Sequence, residues 1–201
     1  MSGQHFHQGP RLGTSARSDQ GPAVPPVGDE ASIQVEQHAA ALWDYSLHIY
    51  AKPGVAASCL ALQDQHGCDV NTVLLCLWLA GARCTILAVS DIEAAQHSAA
   101  TANERFVQPV RSVRRWMKQW CQCTPESEIN AAAYAALKTA ELHGERLVQS
   151  QMLAGLDLDQ LTRAESSEAA VQASFANYCT LASTSGGVAE ELGELVARAW
   201  H

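Results

Sequence analysis

The chain has 201 residues, 47% of them hydrophobic, with a formal charge of −8 and a pI near 5.4. That length suits one well-cored domain with extensions rather than two full domains. The acidic balance argues against a general nucleic-acid binder, because phosphate contacts need a basic surface, and the longest apolar run, Val73 to Ala82, is about half of the roughly 20 residues a membrane span needs.

Residues 1 to about 35 hold GP, GP and PP steps and almost no large aliphatics. Such a segment cannot bury enough surface to offset its chain entropy and is predicted to be a disordered tail. It also lacks the apolar stretch of a secretory signal, which points to the cytoplasm. The cysteines, at 59, 68, 76, 84, 121, 123 and 179, are odd in number and several lie in apolar helical runs, where cysteine behaves as a small hydrophobe. Cys121 and Cys123 form a CxC pair without a second CxxC or a histidine nearby, so a zinc site has little support.

Order is expected to begin near His38. In AAALWDYSLHIYA, Leu42, Tyr45, Ser46 and Ile49 share one helical face and Trp43, Leu47 and Tyr50 another, which predicts a first helix packed on two sides. Pro53-Gly54 breaks it, with Pro53 as the first residue of a second helix that runs to His66 and is capped by Gly67. Asp69 caps a third, VNTVLLCLWLAGA. Its apolar residues cover every face, so it belongs in the centre of a bundle. Ser90-Asp91-Ile92-Glu93 matches a capping box and opens a polar fourth helix that should end before Pro109.

Pro109 is predicted to start a fifth helix, VRSVRRWMKQW, with Val113, Trp116, Met117 and Trp120 on one side and Arg111, Arg115 and Lys118 on the other. Thr124-Pro125-Glu126 caps the sixth and longest, which ends near Gly155. Along it Ile129, Ala133, Ala136, Ala140, Gly144 and Leu147 form a row that would let a neighbouring helix approach closely. After residue 157 the composition turns acidic and Ala/Ser-rich. Val171, Phe175, Tyr178 and Ala182 make one stripe there, and Val188, Leu192, Leu195 and Ala199 another. No strand-like alternation is visible. The prediction is an all-α bundle of about six core helices (residues 36–156) with a C-terminal helical extension (157–201).

The segment LWDYSLHIYAKPGVAASCLALQDQHGCDVNTVLLCLWLA resembles an uncharacterised proteobacterial family of small proteins of unknown function, through its W-D, its P-G-V break, C-L-x-L-Q-D, a glycine and D-V-N. The resemblance continues through PVRSVRRWMK and LKTAELHGERLVQ and covers about residues 40 to 155. It implies a single helical domain in a bacterial cytoplasm, with the tail and the part after 157 as additions, and it brings no activity, substrate or catalytic residue.

Most polar residues of LQDQHGCDVN (62–71) have a structural reading: His66 suits a helix C-terminus, Gly67 the left-handed turn, and Asp69 the next N-cap. Asp64 does not fit, since the end of a helix dipole disfavours a carboxylate. It is expected to pair, with Asp44, to an arginine of RSVRR, where Arg111, Arg114 and Arg115 stand without an intervening acid. Glu141 and Glu145 lie one turn apart on one face, placed to pair with Arg146 or the basic helix, or to share a cation.

The candidate binding residues are therefore Asp44, Asp64, Asp69, Asn71, Arg111, Arg114, Arg115 and Glu141. No nucleophile, phosphate-loop or zinc-protease motif occurs, so no catalytic residue, metal or cofactor is assigned. The predicted function is a helical protein-interaction module or adaptor, presenting the basic helix and the 64–71 corner to a protein partner, with the acidic extension tuning that surface. One alternative is a metal-dependent enzyme on a phosphorylated ligand, using Asp44, Asp64, Glu141 and Glu145. Another is an RNA- or ribosome-associated factor using the basic helix, disfavoured by the net negative charge and because its tryptophans read as core.

Overall fold

The computed structural model describes residues 30–123, 128–182 and 187–200. Eight helices carry the fold: α1 (Glu30–Tyr50), α2 (Val55–His66), α3 (Val70–Arg83), α4 (Val89–Ala102), α5 (Gln108–Cys123), α6 (Glu128–Ala154), α7 (Ser167–Ala182) and α8 (Val188–Trp200). Beside them is one antiparallel pair of two-residue strands, β1 (Thr85–Ile86) and β2 (Thr162–Arg163). The all-α expectation holds. No described helix is long and apolar enough to cross a membrane.

Helix α3 is the axis. Every residue from Asn71 to Ala80 is buried, because α1, α2, α6 and α7 all pack against it. Its ends are built as the residues suggest. The Asp69 carboxylate accepts from Asn71 N–H at 2.9 Å and from the Thr72 hydroxyl at 3.2 Å. Gly67 adopts φ 67°, ψ 18°, and the bonds Gly67 N–H to Gln63 O and Cys68 N–H to Leu62 O close α2 in a Schellman turn.

Several boundaries differ from expectation. Helix α1 starts at Glu30, so residues 30–35 of the expected tail are helical; residues 1–29 lie outside the described residues. Leu42, Ser46 and Ile49 are buried; on the second face Leu47 is exposed, Trp43 is half-buried and Tyr50 is hydrogen-bonded to Cys59, so that face of α1 is only partly covered. Helix α2 begins at Val55 after a Gly54 with φ 83°, and Pro53 belongs to the preceding turn. The N-cap of α4 is Ala88, whose N–H is taken by the Asp91 carboxylate at 2.9 Å; the box sits two positions earlier than expected, with Asp91 in place of Glu93 as its acid. The expected cap at Thr124-Pro125 lies outside the described residues.

The largest difference is at Pro109. Helix α4 does not stop there. One π-helical turn, Asn103–Val107, joins it to α5, and the bond from Gln108 N–H to Asn103 O spans five residues. The wider turn absorbs the missing proline donor without ending the helix. Gly144 of α6 makes room for this bulge, since a Cβ there would come within 2.8 Å of Val107 and 2.9 Å of Phe106. At the far end, a Cβ on Gly155 would meet Ser98 at 2.7 Å. Residues 89–123 and 128–154 thus form one long antiparallel hairpin.

The C-terminal helices fold onto the core. Val171, Phe175 and Tyr178 are buried, as are Val188, Leu192, Leu195 and Ala199; Ala182, the last residue of the first stripe, is exposed. Helix α7 lies against α3 and α4, and α8 against α2. Polar ties fix them: the Tyr178 hydroxyl accepts from Asp69 N–H at 2.6 Å, Asn177 donates to Leu87 O at 2.8 Å, and Lys52 donates to Ala199 O at 2.6 Å.

Candidate functional site

The α5–α6 hairpin has two unlike parts. At its base Arg111 donates to Glu141 at 3.0 Å and also pairs with Glu145, while Arg114 is hydrogen-bonded to both oxygens of Glu141. Glu145 takes a hydrogen bond from the Asn71 side-chain amide. Gln149 donates to Asn71 at 3.1 Å and to Ser46 at 3.1 Å, and Ser46 donates to Leu42 O at 2.8 Å. A polar chain therefore runs from α5 through α6 and α3 into α1. The sequence places Asn71 beside an N-cap but gives no sign that its side chain bridges two helices, because both partners lie more than 70 positions away.

The charges in this chain are unequal. Burial pushes Glu141 upward, but hydrogen bonds from Arg114 and Arg111 outweigh it and hold the carboxyl below its ordinary value. Burial dominates at Glu145 and raises it despite Arg111 and Asn71. The Arg114 guanidinium is raised, chiefly by its bond to Glu141. Burial likewise raises Asp69, against the hydrogen bonds it accepts from Asn71 and Thr72. Two half-buried carboxylates against two guanidiniums make a clamp that fixes how the hairpin leaves the bundle.

The expected pairing of Asp64 is present: Arg115 reaches it at 2.9 Å, with both side chains about half exposed. Asp44 does not join it; it is exposed on α1 and enters no ion pair among the described residues. Glu141 and Glu145 pair with the basic helix and not with Arg146. The four carboxylates of the metal reading are not gathered, and no three His, Cys, Asp or Glu among the described residues are placed to hold a metal ion. Of the CxC pair, Cys121 is partly exposed and the side chain of Cys123 lies outside the described residues. Burial pushes the Cys76 thiol up to about 12, in keeping with a cysteine used as core.

Beyond the clamp the hairpin leaves the bundle. Gly144, Val148, Gln149, Met152 and Leu153 of α6 are buried, but no residue from 128 to 143 is, and among the described side chains of α5 only that of Met117 is. The tryptophans expected in the core are outside it. Trp116 is 59% exposed and Trp120 41%, with their rings stacked on each other at 5.9 Å and 14°. Val113 beside them is 48% exposed. The basic stripe is not covered by the acidic extension; Glu141, Glu145 and Asp64 of the core neutralise most of it.

A separate open depression of about 680 Å³ lies along α4, lined by Asp69, Glu93, Gln96, His97, Glu104 and Val148 among others. Its polar groups are partly used within the fold, as where Gln96 donates to the Thr72 hydroxyl at 3.1 Å.

Among known proteins, the model of one family, described as a protein of unknown function (DUF2390), matches residues 41–152. No curated protein and no solved structure matches the chain.

Proposed function

The chain belongs to the DUF2390 family of unknown function, and on that premise we propose that it is a helical protein-interaction module whose docking element is the projecting end of the α5–α6 hairpin. One observation carries this reading: two stacked tryptophans, 59% and 41% exposed, stand outside the core on a helix held at its base by a salt-bridge clamp. Large aromatic side chains are the commonest anchors of protein interfaces. A rigid base lets them be offered without an ordering cost on binding.

The adaptor surface differs from the sequence expectation. Arg111 and Arg114 are spent on Glu141 and Glu145, and Arg115 on Asp64, so the arginines and the 64–71 corner serve as scaffold and the tryptophan face of the same helix is the offered surface. The net charge of −8 still stands against RNA, but exposure of the rings removes the other earlier objection. Another takes its place: Lys118 follows Trp116 by two residues, roughly 200° around the helix, so phosphate contacts and base stacking would fall on opposite sides. The six cysteines among the described residues are unpaired, three of them buried, which suits a cytoplasmic setting.

A photo-crosslinking residue at position 120, introduced in the native host, tests the reading. Protein adducts should form there and not from a control at Glu190 on α8. Equal adducts from both positions, or recovery of RNA alone, would refute it.

A further inference from the structure

We infer that the occupant of this docking face is a second copy of the chain, joined hairpin to hairpin about a two-fold axis. The inference rests on the interaction-module reading and names its partner.

The direction of the face follows from contacts already described. Arg115 reaches Asp64 at the end of α2 and Glu145 reaches Asn71 in α3, so the bundle lies on that side of the hairpin. On α5, Val113, Trp116 and Trp120 fall roughly 100–160° away from Arg115; on α6, Ile129, Ala136 and Ala140 fall roughly 140–180° away from Glu145. Both sets therefore look outward, on the same side of the hairpin. Their exposure agrees: Ile129 is 80% exposed and Ala136 is exposed, with Ala140 half-buried.

Two properties of this face fit a copy of itself. It pairs bulk with absence of bulk, the tryptophan pair on one helix and alanines on the other, and a two-fold rotation lays each pair on the other copy's alanines. Such isologous closure satisfies both surfaces at once, and two hairpins so joined make a four-helix bundle, in which each apolar face is covered by the other. None of the six positions carries a charge. The acidic helices α7 and α8 pack on α3, α4 and α2 instead, so two chains of −8 each can meet here without opposing carboxylates.

Sedimentation velocity on the full chain between about 1 and 100 μM is the direct test. The wild type should run at twice its 21.5 kDa mass, with little dependence on salt because the face is uncharged. Trp116→Ser with Trp120→Ser should weaken association by at least about 100-fold. Ala136→Arg, an independent block at an exposed site, should do the same, with circular dichroism confirming that both variants keep their helices. A wild type that stays monomeric throughout, or a dimer that survives both variants, overturns the inference. If the monomeric wild type still gives crosslinks to a different protein from position 120, the module reading stands and self-association falls. Absence of any crosslink would remove both.

Discussion

Helices α3 and α5 carry similar apolar side chains and meet opposite fates. In α3 every residue from Asn71 to Ala80 is buried, Trp78 included. In α5, which holds Trp116, Trp120, Val113 and Met117, only Met117 is. The difference lies in the neighbours and not in the residues. Helix α3 has four helices around it. Helix α5 packs chiefly on α6 and the π turn, and two helices can cover only the seam between them. An amphipathic pattern shows which face is apolar; the number of partners decides whether that face is wet.

The strongest way to break this comparison is to truncate one large side chain in each helix. Leu75→Ala in α3 leaves a cavity in a fully buried site and should cost about 3–5 kcal/mol. Trp116→Ala removes a larger side chain and should cost no more than about 0.5 kcal/mol. Urea unfolding at protein concentrations low enough to keep the chain monomeric measures both. Similar losses would mean that the outer face of α5 is covered core after all.

Charge gives the same contrast at smaller size. Arg111 is 15% exposed and serves two carboxylates that are 13% and 18% exposed; Arg111→Ala leaves Glu145 with only the Asn71 amide and Glu141 with Arg114 alone, and should cost about 2 kcal/mol. Arg115 and Asp64 are each about half exposed, so Arg115→Ala should cost under about 1 kcal/mol and less still in high salt. Equal costs would show that the clamp does no more than a surface pair.

These contrasts mark what could be read from residues alone. Caps and turns were legible because they are local: Gly67, Asp69 and the apolar circumference of α3 need only their sequence neighbours. The pairing of Asp64 was legible as a residue in the wrong place on a helix dipole, and the basic helix supplied its partner. Pro109 misled because its effect depends on a π turn and on the space at Gly144, 35 positions away. The tryptophans misled for a similar reason. Spacing put them on the apolar face of α5, but nothing local says that α6 outruns the bundle. Asn71, Gln149 and Ser46 were hidden, since a polar chain through four helices leaves no periodic mark.

The smallest effect separates the two carboxylates of the clamp. Glu141 is held below its ordinary value by Arg114 and Arg111 against burial, so its ionised form stabilises the fold. That contribution is complete above the ordinary carboxylate range and is lost as pH falls through the lowered folded value. Glu145 is raised by burial, so its sign is opposite: its contribution is complete below the ordinary range and is lost as pH rises through the raised value. At about pH 7, Glu141→Gln should therefore destabilise more than Glu145→Gln, by on the order of 1 kcal/mol. Toward about pH 4 the gap should narrow, because the Glu141 carboxyl of the unfolded chain then takes up its proton while the folded one is held lower, and the contribution begins to be lost. Urea unfolding of both variants at the two pH values measures it. A gap that is constant with pH would mean that Glu141 acts by shape and hydrogen bonding, and that the arm is not held out by charge.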